Sequence, residues 1–205
     1  MTLTLLHTAQ VHCATFDALR DRIAPGVELT HLVRENWLAQ AQNGISPSLE
    51  NKISQVVANA AGKVICTCTT LGPAAEKAGA VRVDWPMMQQ AARLGGPILM
   101  AYCLDSTWEP SLALLERALE EAKTPAKVHP LRLAQYWPLF EAAEMDGFAA
   151  VIAGEIRQIV TQLPDVACVV LAQASMAKVA PLLADLEVPV LASPELALRA
   201  GLSQI

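Results

Sequence analysis

A thiol at the foot of a strand, followed by hydroxyl side chains, is an arrangement that can move protons. Residues 64–72 hold one: Val64-Ile65-Cys66-Thr67-Cys68-Thr69-Thr70-Leu71-Gly72. At the junction between a strand and the next helix, free backbone amides lower a thiol's pKa and favour the thiolate. A thiolate at Cys68 could act as a base toward a carbon-bound proton or as a nucleophile, while a lone Cys on such a run more often packs as a small buried hydrophobe. Cys66 shares its parity on an extended strand but lies deeper in the apolar run, so it reads as core. Cys13, Cys103 and Cys168 read as core or near-core. Three further strand ends carry polar side chains: His7-Thr8, Ser106-Thr107 and Gln173-Ala174-Ser175. Hydroxyls and amides at such ends can donate to a carboxylate, which the helix dipole also favours. Capping its own helix is the plainer task open to each Ser and Thr. His7 suits a ligand contact, an acid or a structural role. His12, His31 and His129 are scattered, and no HExxH or close His/Asp/Cys cluster points to a metal. Asp105 and Glu109 flank a turn, either as acids or as a helix start.

The elements that must position these residues alternate. Strands are expected near 2–7, 27–33, 64–67, 81–83, 98–103, 127–129, 167–171 and 188–191. Helices are expected near 12–23, 46–60, from 71, 86–94, 109–121, 148–161, 174–186 and 194–200, while 131–147 is ambiguous. Ser46-Pro47 caps one helix and Gly62 stops it. Such alternation predicts an α/β chain with helices on both faces of mainly parallel sheets. Two rounds of it predict two similar halves, 1–95 and 96–192, with the terminal helix in 193–205 able to complete the first. The Val64–Thr70 run echoes Val169–Ser175, which sets Cys68 against Gln173.

Composition narrows the field. Apolar residues make up 53% of the 205, enough for a sizeable core and against wholesale disorder. Lys and Arg number 15 against 20 Asp and Glu, so no basic surplus exists for nucleic acid. No stretch reaches the ~18 apolar residues of a membrane span. There is no secretory-type leader pattern. Five cysteines with no CxxC argue against disulfides and a zinc cluster, and for a reducing cytoplasm. No GxGxxG, GxxxxGK[ST] or GxSxG is present, which removes the usual signatures of a nucleotide cofactor and a serine hydrolase.

The segment Val64–Gly72, with Ser106-Thr107-Trp108-Glu109-Pro110-Ser111 and Leu6-His7-Thr8-Ala9, resembles the aspartate/glutamate racemase superfamily. Its relatives include hydantoin racemase, maleate isomerase and arylmalonate decarboxylase. The resemblance implies two pseudo-symmetric Rossmann-like or flavodoxin-like halves with the active site in the cleft between them. It implies no metal and no other cofactor. It carries the first catalytic thiol onto Cys68 and carboxylate binding onto Thr69 and Thr70. His7, Thr8, Ser106, Thr107, Gln173, Ala174 and Ser175 become the other substrate contacts. One departure stands out: the second catalytic cysteine of such racemases falls at Gln173, whose amide cannot exchange a proton near neutral pH. The expectation is racemase-like or other isomerase chemistry on a small carboxylate with one thiolate. A decarboxylase or other lyase is the first alternative, and a carboxylate binder without turnover the second. A homodimer is compatible with the resemblance.

Overall fold

The computed structural model describes residues 2–203. Leu3–His7 (β1), Lys63–Cys66 (β3), Ile98–Tyr102 (β5) and Cys168–Leu171 (β7) are buried nearly throughout. They are the interior strands of two sheets. A parallel strand covered on both faces has no use for strict apolar–polar alternation, which explains their near-continuous apolar character. The remaining strands are Leu29–Val33 (β2), Val81–Arg82 (β4), Val128–Arg132 (β6) and Val190–Ala192 (β8). The orders are β2-β1-β3-β4 and β6-β5-β7-β8, every pairing parallel. The second sheet thus repeats the topology of the first. Pro130 is tolerated in β6 because that strand is an edge, where a missing donor breaks no ladder.

The helices are Val11–Ile23 (α1), Asn36–Ala41 (α2), Pro47–Asn59 (α3), Gly72–Lys77 (α4), Trp85–Leu94 (α5), Asp105–Ala122 (α6), Trp137–Glu141 (α7), Met145–Gln162 (α8), Val179–Leu182 (α9) and Ser193–Leu202 (α10). Ser46 caps α3 by accepting from the Leu49 amide at 3.2 Å. Gly62 ends that segment with φ +69, and a Cβ there would fall 1.9 Å from the Thr2 carbonyl oxygen. None of the described helices is long and apolar enough to cross a membrane.

Three expectations need correcting. Residues 174–186 do not form one helix: a 3-10 turn, Ala174–Met176, is followed by the short α9. Pro181 is the reason, since its ring clashes with the carbonyl four residues back and supplies no N–H. The helix expected from Glu109 begins at Asp105, which puts Ser106 and Thr107 inside its first turn and leaves Pro110 within the helix. α2 occupies residues for which no element was expected.

The described residues group into two units, one running to Pro86 and resuming at Pro194, the other Met87–Ser193. The division falls inside α5; the sequence placed it at 95 because Gly95-Gly96 is the visible break. In the first unit Leu3, Leu5, Phe16, Ile65, Ala197 and Leu198 form one core, and Leu6, Leu49, Ile53, Cys66 and Leu71 belong to another. In the second, Leu99, Phe148, Ile152, Ile156, Val169 and Leu171 share a core. Each fully buried Leu, Ile or Phe contributes about 1.5–3 kcal/mol.

Candidate functional site

The order β2-β1-β3-β4 reverses direction between β1 and β3. In open parallel sheets the space beyond the strand ends at such a point is where ligands settle. Thr8 directly follows β1, and Cys68 stands two residues past β3. The structure brings these two together: the Thr8 hydroxyl donates to Cys68 Sγ, and so do the backbone amides of Thr70 and Leu71. Those three hydrogen bonds pull the thiol's pKa down. Burial, with a smaller push from the Asp84 carboxylate, outweighs them, and the net shift is upward. This corrects the expectation of a depressed thiol. The residue is 8% exposed, packed at the margin of the core that holds Leu6, Cys66 and Leu71. Cys66 is fully buried, its thiol donating to the Cys68 carbonyl at 3.5 Å, and burial pushes its pKa up. It is core, as expected. Thr69 and Thr70 are buried beside Cys68 in the turn that leads to α4.

His7 is placed otherwise. It is fully buried, with Nδ1 2.8 Å from Thr67 Oγ1 and Nε2 2.8 Å from His31 Nδ1. Burial first, then the neighbouring His12 and His31, lower its pKa to about 3. Both ring nitrogens are thus engaged and the ring is held neutral. Cys13 is also not core. It is half-buried, and its Sγ lies within 4.8 Å of ring nitrogens of His7 and His31. The close His/Cys cluster missing from the sequence is therefore present in space. It was hidden because the three residues come from β1, α1 and β2. Cys103 and Cys168 are core, with thiols pushed up by burial to about 12 and about 11.

A buried pair lies near Cys68 that the sequence reading passed over. Arg82 Nε and the guanidinium Nη2 donate to the two Asp84 carboxylate oxygens at 3.0 and 2.8 Å, both residues being buried. The available signal was a charge on each side of Val83 in an otherwise apolar strand.

In the second unit Gln173 follows β7 by two residues. Its Oε1 accepts from the amides of Cys103 and Leu104 at 2.6 and 3.0 Å. The side-chain carbonyl is thus engaged by two backbone amides, leaving the Nε2 hydrogens as its donating end. Ala174 is buried beside it. Ser175 is buried with its hydroxyl making no hydrogen bond among the described residues. Thr107 is buried in the first turn of α6 and Ser106 is partly exposed. Asp105 is paired at the surface with Arg132 at 2.6 and 2.8 Å, which holds its carboxyl below the usual range and unsuits it as an acid.

No family model and no curated relative matches the chain. Solved structures do. A glutamate racemase from Aquifex pyrophilus superposes with TM-score 0.66 at 15% identity, covering 100% of this chain and 84% of the other. An allantoin racemase from Klebsiella pneumoniae gives 0.60 at 16%, covering 99% and 86%. An aspartate racemase from Picrophilus torridus gives 0.59 at 12%, covering 99% and 93%. The chain shares the fold of these racemases. Two four-stranded parallel sheets of one topology, with helices around them, are what this racemase fold consists of here.

Proposed function

We propose that this protein performs cofactor-independent, racemase-like chemistry at the α-carbon of a small carboxylate, with Cys68 as its single proton-transferring thiol. The observation that carries the reading is the setting of Cys68 Sγ, two residues past β3 with the Thr8 hydroxyl and the Thr70 and Leu71 amides all donating to it. Three donors stabilise a thiolate once it forms. The thiolate takes the α-proton: the C–H bond breaks, the S–H bond forms, and the electron pair passes into an enolate. Return of that proton, or of one exchanged with solvent, restores the α-carbon. Thr69 and Thr70, buried in the same turn as Cys68, are the hydroxyls that hold carboxylate oxygens. With one thiol, exchange without inversion is the expected outcome.

Incubation of amino acids and small dicarboxylates in deuterated water, read by NMR, tests this. Exchange is expected at the α-carbon, falling by about 10²–10⁴-fold in Cys68→Ser, the range of a lost general base. Loss of carbon dioxide in place of exchange would make the protein a lyase. Binding without any exchange favours the second reading, a carboxylate binder. The upward shift of Cys68 and the engagement of Gln173 Oε1 by two amides are the observations on that side.

A further inference from the structure

His7, Cys13 and His31 come together on the α1 face of the first sheet, where His7 also meets Thr67, the residue before Cys68. Leu5 pairs with His31 in register, so His7, two residues beyond Leu5, projects to the same face as His31. α1 packs on that face, with Phe16 5.6 Å from the His7 ring, and Cys13 and Asp17 stand one helical turn apart. One ligand atom from each of His7, Cys13 and His31 lies within 4.8 Å of the others.

The Thr67 hydroxyl donates to the Leu6 carbonyl at 3.0 Å, so toward His7 Nδ1 it must accept. That fixes the N–H of a neutral His7 on Nδ1 and a lone pair on Nε2. His31 Nε2 faces the Asp17 carboxylate at 3.4 Å, an acceptor, which calls for the His31 N–H there. With both rings neutral, two lone pairs then meet at the 2.8 Å contact between His7 Nε2 and His31 Nδ1. A metal ion between the two nitrogens accepts both lone pairs; the other His31 tautomer, with its N–H on Nδ1, bonds His7 directly and gives up the 3.4 Å contact to Asp17. The outer partners are those that orient metal-bound imidazoles, a carboxylate behind one ring and a hydroxyl behind the other.

The geometry points to a divalent-metal site of the zinc class, with His7 Nε2, His31 Nδ1 and Cys13 Sγ as ligands and a fourth position open. Zinc bonds of about 2.0–2.1 Å to nitrogen and 2.3 Å to sulfur place tetrahedral donors roughly 3.3–3.6 Å apart. The present separations, 2.8 Å between the nitrogens and up to 4.8 Å within the group, bracket that spacing. Two imidazoles and a thiolate suit zinc better than calcium or magnesium. Cys13 and His31 are half-buried, which leaves an approach from the surface.

Titration of the chelator-treated, reduced full chain with Zn²⁺ and Co²⁺ tests the site. Saturable binding of a single ion per chain is expected, with Co²⁺ giving tetrahedral d–d absorption and a thiolate-to-cobalt charge-transfer band, and Zn²⁺ raising Tm. Cys13→Ser is expected to remove the charge-transfer band, while Cys68→Ser keeps it. Asp17→Asn should weaken binding about 10–100-fold, as loss of an outer partner does, and His31→Ala by more. His31 and Cys13 are only half-buried, so these variants avoid the folding risk of replacing His7. Absence of saturable binding, or a band that survives Cys13→Ser, overturns the proposal. Neither result bears on α-proton exchange at Cys68.

Discussion

The two halves of the chain repeat one topology and fill the same position with different chemistry. β3 ends at Cys66 and β7 at Leu171, so Cys68 and Gln173 each stand two residues past the third strand of their half. Each reaches the segment just beyond the first strand. Cys68 accepts from the Thr8 hydroxyl, one residue past β1. Gln173 accepts from the amides of Cys103 and Leu104, one and two residues past β5. The scaffold therefore decides where the side chain is aimed, and the residue type decides whether a proton can leave it. A thiol can ionise against its donors. A carboxamide only satisfies them.

The largest test of this asymmetry lies beneath the strand ends. Cys66 pairs in register with Arg82, and Leu171 with Ala192, so a buried ion pair in the first half has an alanine as its counterpart in the second. Arg82→Ala leaves the Asp84 carboxylate buried without its cation. A loss of ~3–5 kcal/mol in stability is expected from denaturant unfolding. Replacing both partners with apolar residues of similar volume should recover most of it, because the desolvation cost disappears with the charges. A single-variant loss under about 1 kcal/mol would mean that the pair is not what underpins the Cys68 half.

A smaller effect is expected at Gln173. Gln173→Leu removes the acceptor for two amides, at a cost of about 1–3 kcal/mol for each left unsatisfied and buried. Gln173→Glu keeps an oxygen for both and adds charge assistance, so it should unfold at or above the wild-type midpoint. Equal midpoints for the Leu and Glu variants would show that the 2.6 and 3.0 Å contacts do not bear on stability.

The repeat itself was legible because buried parallel strands write themselves as apolar runs: Val64-Ile65-Cys66 and Val169-Val170-Leu171 mark β3 and β7 within a residue or two. Cys68 was legible for the same reason, standing at the end of such a run. Residues 174–186 were misread because apolar spacing outweighed Pro181, whose ring and missing N–H decide the backbone. His7, Cys13 and His31 were invisible as a group. Their sequence separations carry no motif, and only the β1–β2 register with α1 laid across it makes them neighbours. The direction of the Cys68 shift was also out of reach. Amide donors can be guessed from a turn, but the burial that overrides them depends on how the first half packs.

That balance at Cys68 is the finest point at which the two halves can be separated, and Thr8 is the handle on it. Burial pushes the thiol up and the Thr8 hydroxyl pulls it down. Thr8→Val removes one donor while the Thr70 and Leu71 amides remain, so the pKa should rise further. At a fixed pH below the midpoint, the thiolate fraction should fall about tenfold for each unit, or ~1.4 kcal/mol. Iodoacetamide alkylation followed at the Cys68 peptide by mass spectrometry reads this fraction across pH. The wild-type midpoint is expected above the ordinary thiol value of about 8.5, that of Thr8→Val higher still, and that of Thr8→Ser close to wild type. The stability consequence has a definite sign. A thiol whose native pKa is raised holds its proton longer in the folded chain than in the unfolded one. Its contribution is therefore complete below the ordinary thiol pKa and is lost as pH climbs toward the raised value. Thr8→Val should steepen that alkaline loss, and Gln173→Leu, in the half without a titrating group at this position, should leave its slope unchanged. Coincident alkylation profiles for Thr8→Val and wild type would remove the Thr8 hydroxyl from the control of Cys68.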